Sequence, residues 1–234
     1  MESKNTTARV AGLIYVVMAI IGAFVILYVP LKLIAWDDAN VTVQNIIESE
    51  TLYRFGIVIG LLTNVLFLVL PFVLYRLLEP VNKTMAGLMV LFAVISVPVS
   101  LVALGSQFDL LSILQSSEST DELETGRIQS AVMASLYTYK NLTFVATVFW
   151  GLWLFPFGWL VYYSGFLPKF FGVFLMVGCF GYLIEFVALT LWPHAYSTSG
   201  ISNFIHIPSA IGEIGIAFWL LIRGVKEPSK RVMN

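Results

Sequence analysis

Two acidic residues stand inside long apolar stretches in the last third of the chain. Glu185 lies near the end of one stretch, and Glu213 lies within the next. A carboxylate inside a membrane-spanning helix is costly, so it usually has a partner or a function. The spacing i, i+3, i+7 places His206, Ser209 and Glu213 on one face of a helix. Since the two stretches run in opposite directions, both carboxylates are expected about 10 to 15 Å below the outer boundary.

Two polar residues of an earlier apolar stretch extend this site to a predicted polar pocket that opens outward. Arg54 and Asn64 both fall in the outer half of that stretch. Arg54 is the natural counter-ion for Glu185 or Glu213, because a long arginine side chain reaches down from the membrane boundary. Such an ion pair either fixes helix packing or anchors a ligand, and the sequence leaves both interpretations open. The candidate ligand-binding residues are Arg54, Asn64, Glu185, His206, Ser209 and Glu213.

Other kinds of chemistry have weaker support. Glu185, His206 and Glu213 are of the types that bind zinc, but the chain has 2 histidines and no His-Glu-x-x-His motif. It contains neither a Gly-x-Ser-x-Gly elbow nor a Walker loop, and Cys179 has no adjacent base. We therefore predict no catalytic residue and no cofactor. A net charge of −1 provides no basic surface for nucleic acid, so the expected partners are the lipid bilayer and a small-molecule or lipid ligand.

The elements that position these residues are membrane helices. Hydrophobic residues make up 59% of the chain and charged residues only 12%, against about 25% charged residues in soluble domains. Six apolar stretches are long enough to cross a bilayer as helices, and none alternates as a strand would. They cover residues 10–35, 52–78, 84–111, 141–163, 168–192 and 203–223. We expect an all-α bundle of six transmembrane helices that forms a single membrane domain over residues 1–234.

Basic residues predict the orientation of this bundle. Of the 13 lysines and arginines, nine fall on the side of the two chain termini. The other four are Lys32, Arg54, Arg127 and Lys140. Loops that remain in the cytoplasm carry the excess of positive charge, so both termini should be cytoplasmic.

The two longer loops on the outer side are acidic and contain helical segments of their own. We place these segments at about residues 40–50 and 121–139. Ser119 and Glu122 have the spacing of a capping box, which indicates that the second segment begins there.

Several sequence motifs run through nearly the whole chain. They occupy residues 8–15, 48–56, 74–84, 163–173, 181–185 and 211–225. Together they resemble those of the bacterial domain-of-unknown-function 4386 family. The resemblance implies a bacterial or archaeal inner-membrane protein of about six spans, and it implies no activity.

These observations support one leading interpretation and two alternatives. The leading interpretation is a non-enzymatic membrane protein whose outward polar pocket binds a small ligand or stabilises a membrane complex. The first alternative is a proton-coupled carrier of a small solute, with Glu213 near mid-depth as the proton site. The second is an intramembrane enzyme that modifies lipids or hydrolyses a substrate with a metal, using the paired carboxylates.

Overall fold

The computed structural model of the protein describes residues 4–115 and 122–225. The Ser119 end of the predicted capping box lies outside the described residues, as do the basic residues Lys226, Lys230 and Arg231. The described chain consists of helices joined by short turns, without a strand. The all-α fold class is therefore confirmed.

Ten α-helices, a π-helical turn and a 3₁₀ turn follow one another along the described chain. The helices are α1 (Lys4–Ala23), α2 (Val29–Leu33), α3 (Ala39–Glu48), α4 (Glu50–Leu78), α5 (Lys83–Gln115), α6 (Glu122–Leu152), α7 (Leu154–Tyr163), α8 (Lys169–Leu191), α9 (Pro193–Thr198) and α10 (Ile207–Ile222). The π-helical turn Phe24–Tyr28 joins α1 to α2, and the 3₁₀ turn Ile201–Asn203 precedes α10.

Within the described residues, 6 helical segments are long and apolar enough to cross a membrane. They are Lys4–Leu33, Glu50–Leu78, Lys83–Gln115, Glu124–Tyr163, Lys169–Leu191 and Ile201–Ile222. The six predicted spans are thus confirmed. The helices extend several residues beyond the apolar stretches at some ends, since polar residues outside the hydrocarbon layer continue the same helix.

The Cα positions divide the chain into two compact units. In the described chain, the first compact unit contains residues 4–17, Leu66–Ser96 and 147–225. Its core includes Trp153, Leu160 and Leu220, all almost inaccessible to solvent. The Oδ1 atom of the Asn5 side chain accepts a 3.2 Å hydrogen bond from the backbone N–H of Val225, which joins the start of α1 to the end of α10.

The second compact unit contains Met18–Val65 and Val97–Ala146, described except for residues 116–121. A buried apolar cluster that includes Ile46, Leu110 and Leu136 forms its core. Helix α3 starts at a capped end, where Asp38 accepts a 3.0 Å hydrogen bond from the backbone N–H of Val41. Helix α3 covers most of the outer segment expected at about 40–50, and α6 contains the described part of the segment expected at 121–139. The single domain expected from the sequence stays a prediction.

Candidate functional site

Glu213 is held by a tyrosine from the first span. The Tyr15 hydroxyl donates a 2.7 Å hydrogen bond to Oε2 of Glu213. Tyr15 is buried, and its ring packs against Trp153 with 5.9 Å between ring centroids. One turn earlier, Gly12 faces the backbone of Leu221, where a Cβ atom would collide. The absence of a side chain at Gly12 lets α1 approach α10 closely, and this approach brings the Tyr15 hydroxyl to the carboxylate.

Glu185 is paired with a histidine that lies just before α10. Nε2 of His206 and Oε2 of Glu185 are 2.7 Å apart, and both side chains are partly buried. A Cβ atom at Gly181 would lie 2.6 Å from the backbone oxygen of Ile205. A larger residue at this point of α8 would push the segment before α10 away from it. The glycine therefore positions His206 beside Glu185.

Two further residues of this unit complete the group. The rings of Tyr182 and His206 have centroids 4.7 Å apart. The Tyr182 phenol lies beside Ser209 and within electrostatic range of Glu185 and Glu213. The buried Ser209 hydroxyl donates a 2.8 Å hydrogen bond to the backbone oxygen of His206. Because one phenol senses both carboxylates, the two acids belong to a single site.

We call this site the carboxylate cluster. Its members are Tyr15, Tyr182, Glu185, His206, Ser209 and Glu213. The sequence indicated four of them and missed the two tyrosines. Tyr182 carried a signal that was overlooked, since it lies three residues before Glu185 and therefore on a similar face of α8. Tyr15 carried no such signal, because its partner is 198 residues away in the chain.

The hydrogen bonds within the cluster use hydroxyl donors and, among the described residues, leave carboxylate oxygens without a partner. The hydroxyls of Tyr15 and Ser209 both donate within the cluster. In the described part of the chain, the bonds to the two carboxylates engage Oε2 of Glu185 and Oε2 of Glu213, so Oε1 of each remains for another donor. Nδ1 of His206 is buried and has no partner among the described residues. The cluster is thus suited to accept hydrogen bonds.

Basic residues of the first compact unit lie at or near helix ends. Those described are Lys4, Arg9, Arg76, Lys83, Lys169 and Arg223. Each falls within about two turns of a helix end, or just beyond one. Glu213, for comparison, precedes Arg223 by ten residues, which is about 15 Å of helix. Within the described residues of this unit, the carboxylates therefore have a phenol and an imidazole as partners instead of a lysine or an arginine.

The two predicted pocket residues of the second compact unit have partners on their own helix. Arg54 forms a 2.6 Å ion pair with Glu50, one turn earlier in α4, and both side chains are about half exposed. We expected Arg54 to be the counter-ion of Glu185 or Glu213; the structure pairs Arg54 with Glu50, and a pair with either of those acids stays a prediction. The physical reason is proximity, since residues four apart face each other on a helix surface. Asn64 donates a 2.9 Å hydrogen bond to the backbone oxygen of Gly60. A role for Arg54 and Asn64 in ligand binding stays a prediction.

The described residues contain no set of side chains that could form a metal site. No group of three or more histidine, cysteine, aspartate or glutamate side chains lies close enough together there to hold an ion. Of the candidates that the sequence offered, His206 pairs with Glu185, while Glu213 is bonded to a phenol.

Comparisons with known proteins cover nearly the whole chain. Residues 10–224 match a family described as "Domain of unknown function (DUF4386)". An uncharacterized protein of Archaeoglobus fulgidus is 29% identical over 153 residues, which cover 65% of this chain and 74% of that protein. No solved structure matches the chain. The family match includes every residue of the carboxylate cluster, from Tyr15 to Glu213.

Proposed function

The chain belongs to the DUF4386 family, and we propose that it is a membrane receptor or binding protein for a small cationic ligand, without enzymatic activity. It lies in the cytoplasmic membrane of a prokaryote as a multi-pass protein, with both termini inside and the carboxylate cluster reached from the outside. The placement of described basic residues such as Arg76, Lys83 and Arg223 near one set of helix ends supports this orientation.

The observation that carries the proposal is the partners of the two carboxylates. Glu213 accepts a hydrogen bond from the phenol of Tyr15, which carries no charge to offset it. Glu185 shares a hydrogen bond with His206, which neutralises at most one negative charge. Because an uncompensated charge inside a membrane span is costly, a positively charged ligand at this site is stabilised by both acids.

The hydrogen-bonding capacity of the cluster supports the same class of ligand. A protonated amine brings several N–H donors and no acceptor. The cluster offers acceptors, since the hydroxyls of Tyr15 and Ser209 already donate and, within the described chain, Oε1 of each carboxylate is left for another donor. The ring of Tyr182, which lies against His206, adds an aromatic face for the cation. A small primary amine therefore matches the site in charge and in hydrogen-bond donors.

The test compares three probes of similar size on the full-length protein in lipid nanodiscs. Ethanolamine is cationic, ethylene glycol is neutral and glycolate is anionic. We expect ethanolamine to raise the thermal unfolding midpoint of the wild type, since a ligand that binds the folded state stabilises it. Glu185→Gln and Glu213→Gln should each reduce that rise, because each variant keeps the shape of the side chain and removes its charge.

Glu50→Gln is the matched control for this experiment. Glu50 is also a glutamate in a span-forming helix, but its side chain is 48% exposed and pairs with Arg54. The control should respond to ethanolamine as the wild type does. If both cluster variants respond like the wild type, or if glycolate gives the largest rise, the proposal is wrong.

A proton-coupled carrier is the second candidate, because a proton is the other cation that satisfies these carboxylates. The pairs Tyr15–Glu213 and His206–Glu185 place four groups that exchange protons in one site, with Tyr182 within electrostatic range of both acids. Uptake of labelled ethanolamine into proteoliposomes, driven by a pH gradient and lost in Glu213→Gln, would favour the carrier. Binding without uptake favours the binding protein, or a complex in which a lysine of a partner fills the same site.

A further inference from the structure

A second group of buried polar side chains lies in the second compact unit and takes no part in the carboxylate cluster. It centres on Tyr53 of α4, Gln107 of α5 and Tyr139 of α6. Tyr53 is 3% exposed and Gln107 is 9% exposed. The Tyr139 phenol has hydrogen-bonding partners in Gln107 and Thr143. The two phenols are close enough to interact electrostatically.

The hydroxyl of Tyr53 is the exception in this group. Its oxygen is buried and has no hydrogen-bond partner among the described residues. Buried polar groups are almost always paired in folded proteins, because a buried group without a partner loses its hydrogen bonds to water and gains none in exchange. The requirement is stricter within a membrane span, where lipid supplies no partner. A hydroxyl in this position therefore indicates a bound polar molecule.

Ser100 of α5, two turns before Gln107 on the same face of that helix, repeats this exception. Two other buried serines of α5 satisfy themselves, since Ser96 donates to Ala93 O at 2.7 Å and Ser106 donates to Ala103 O at 2.8 Å. The Ser100 hydroxyl is equally buried, yet it has no partner within the described chain. The contrast between Ser100 and the two paired serines is therefore a second observation, separate from that on Tyr53.

The packing of α4 on α5 gives the levels of the two exceptions within the span. Gly60 of α4 faces Leu104 of α5, with 3.1 Å from a Cβ at Gly60 to Leu104 Cδ1. The helices run in opposite directions, so Asn64 and Ser100, each one turn further in, lie at a similar level. Ser100 also precedes Gln107 by two turns, or about 10 Å. A polar strip therefore follows α5 inward; its residues, which we call the neutral strip, are Tyr53, Asn64, Ser100, Gln107 and Tyr139.

Charged residues near the strip point away from it. Arg54 follows Tyr53 directly, but it is exposed and paired with Glu50. Asp109 is exposed, and the exposed Lys140 places its ammonium 4.5 Å from the centroid of the Trp36 ring. The strip itself consists of hydroxyl and amide groups, which both donate and accept hydrogen bonds. Its ligand must therefore be neutral and do the same.

We propose that the neutral strip is a second binding site, specific for neutral molecules that carry hydroxyl groups. One such molecule bonds to Tyr53 and another to Ser100, because the two residues lie about 16 Å apart along the helices. Two sources supply this chemistry: water molecules in file along the strip, and a small polyol. The site is separate in residues and in charge from the carboxylate cluster, so it stands whether or not the proposed amine binding is correct.

Conservative variants of the full-length protein in nanodiscs test the proposal. Removing a hydroxyl that truly has no partner leaves stability unchanged or raises it, whereas removing one that binds a ligand lowers stability. We expect Tyr53→Phe and Ser100→Ala each to lower the unfolding midpoint by about 2–4 °C. Ser106→Ala is the matched control, because it gains the same helix propensity and loses a hydroxyl already bonded within its own helix.

Ethylene glycol then distinguishes the two sources. If a polyol is the ligand, ethylene glycol raises the midpoint of the wild type more than that of Tyr53→Phe. If water fills the strip, both variants lose stability but respond to ethylene glycol as the wild type does. Either result supports the site. The proposal is overturned if Tyr53→Phe and Ser100→Ala are both as stable as the wild type and as the control Ser106→Ala.

Discussion

The two compact units both bury polar side chains inside membrane spans, and they do so in opposite ways. In the first unit, the hydroxyls of Tyr15 and Ser209 have acceptors, and the carboxylate oxygens are in excess. In the second unit, the buried hydroxyls of Tyr53 and Ser100 have no partner among the described residues, and the charged neighbours point outward. The proposed ligand of the first site is therefore selected by charge, and the proposed ligand of the second by hydrogen bonding alone.

The largest expected effect comes from forcing α8 and α10 apart, which breaks the first site and leaves the second intact. A Cβ atom at position 178 would lie 2.7 Å from the backbone of Ser209. We expect Gly178→Ala to lower the free energy of unfolding by about 3 kcal/mol, the upper end of the usual cost of overpacking, because the clash is with backbone atoms. Gly178→Ala should also abolish ethanolamine binding. Adding Tyr53→Phe should lower the stability of this variant as it lowers that of the wild type.

Gly105→Ala is the control for this change. A Cβ atom at Gly105 of α5 would meet nothing within 4 Å in the described part of the chain. Its free energy of unfolding should stay the same or rise by about 0.5–1 kcal/mol, because alanine favours a helix over glycine. Equal losses in the two variants, measured by denaturant unfolding, would mean that the close approach of α8 to α10 does not hold the cluster together.

An effect of intermediate size is expected when one phenol is removed from each unit and the two losses of stability are compared. Tyr15→Phe takes away the donor to the Glu213 carboxylate, and bonds to charged groups contribute about 1.5–3 kcal/mol. Tyr53→Phe removes a bond between neutral groups, which contributes about 0.5–1.5 kcal/mol. We therefore expect the Tyr15 variant to lose more stability. The reverse order in unfolding experiments would contradict the assignment of charge to the first unit.

The smallest expected effect belongs to Arg54, the residue that the sequence made most prominent. Its ion pair with Glu50 is about half exposed and spans one helical turn. Pairs of this kind contribute about 0–0.5 kcal/mol, so Arg54→Gln should barely change the unfolding midpoint or ethanolamine binding. Loss of ethanolamine binding in this variant would instead restore Arg54 as a ligand-binding residue and break the separation between the two sites.

Sequence reasoning succeeded where the property is local. Span length and apolar composition are read directly from the chain, and the six spans and the family resemblance were both predicted correctly. The relation between Glu185 and His206 was also within reach, because each was recognised as a polar residue facing the bundle. The glycines that bring these segments together, Gly178 and Gly181, precede Glu185 by seven and four residues, which places them on a similar face of α8, and they face the segment around α10.

Partners that depend on packing were not predictable in the same way. Tyr15 reaches Glu213 only because α1 lies against α10, and no spacing rule connects positions so far apart in the chain. The Arg54–Glu50 pair was overlooked for a different reason. Glu50 stood four residues earlier as a visible local signal, and the expected long-range ion pair was given more weight than the helix-surface neighbour. Of the neutral strip, Asn64 was predicted as a pocket residue, whereas Tyr53 looks ordinary in an apolar sequence.

The most direct test of this account measures both probes against both sites in one experiment. Unfolding midpoints are recorded for the wild type, Glu213→Gln and Tyr53→Phe, each with ethanolamine and with ethylene glycol. We predict that Glu213→Gln loses the response to ethanolamine and keeps its response to ethylene glycol, whereas Tyr53→Phe keeps the response to ethanolamine. An undiminished response to ethanolamine in Glu213→Gln would contradict the central claim that the carboxylate cluster binds a cation.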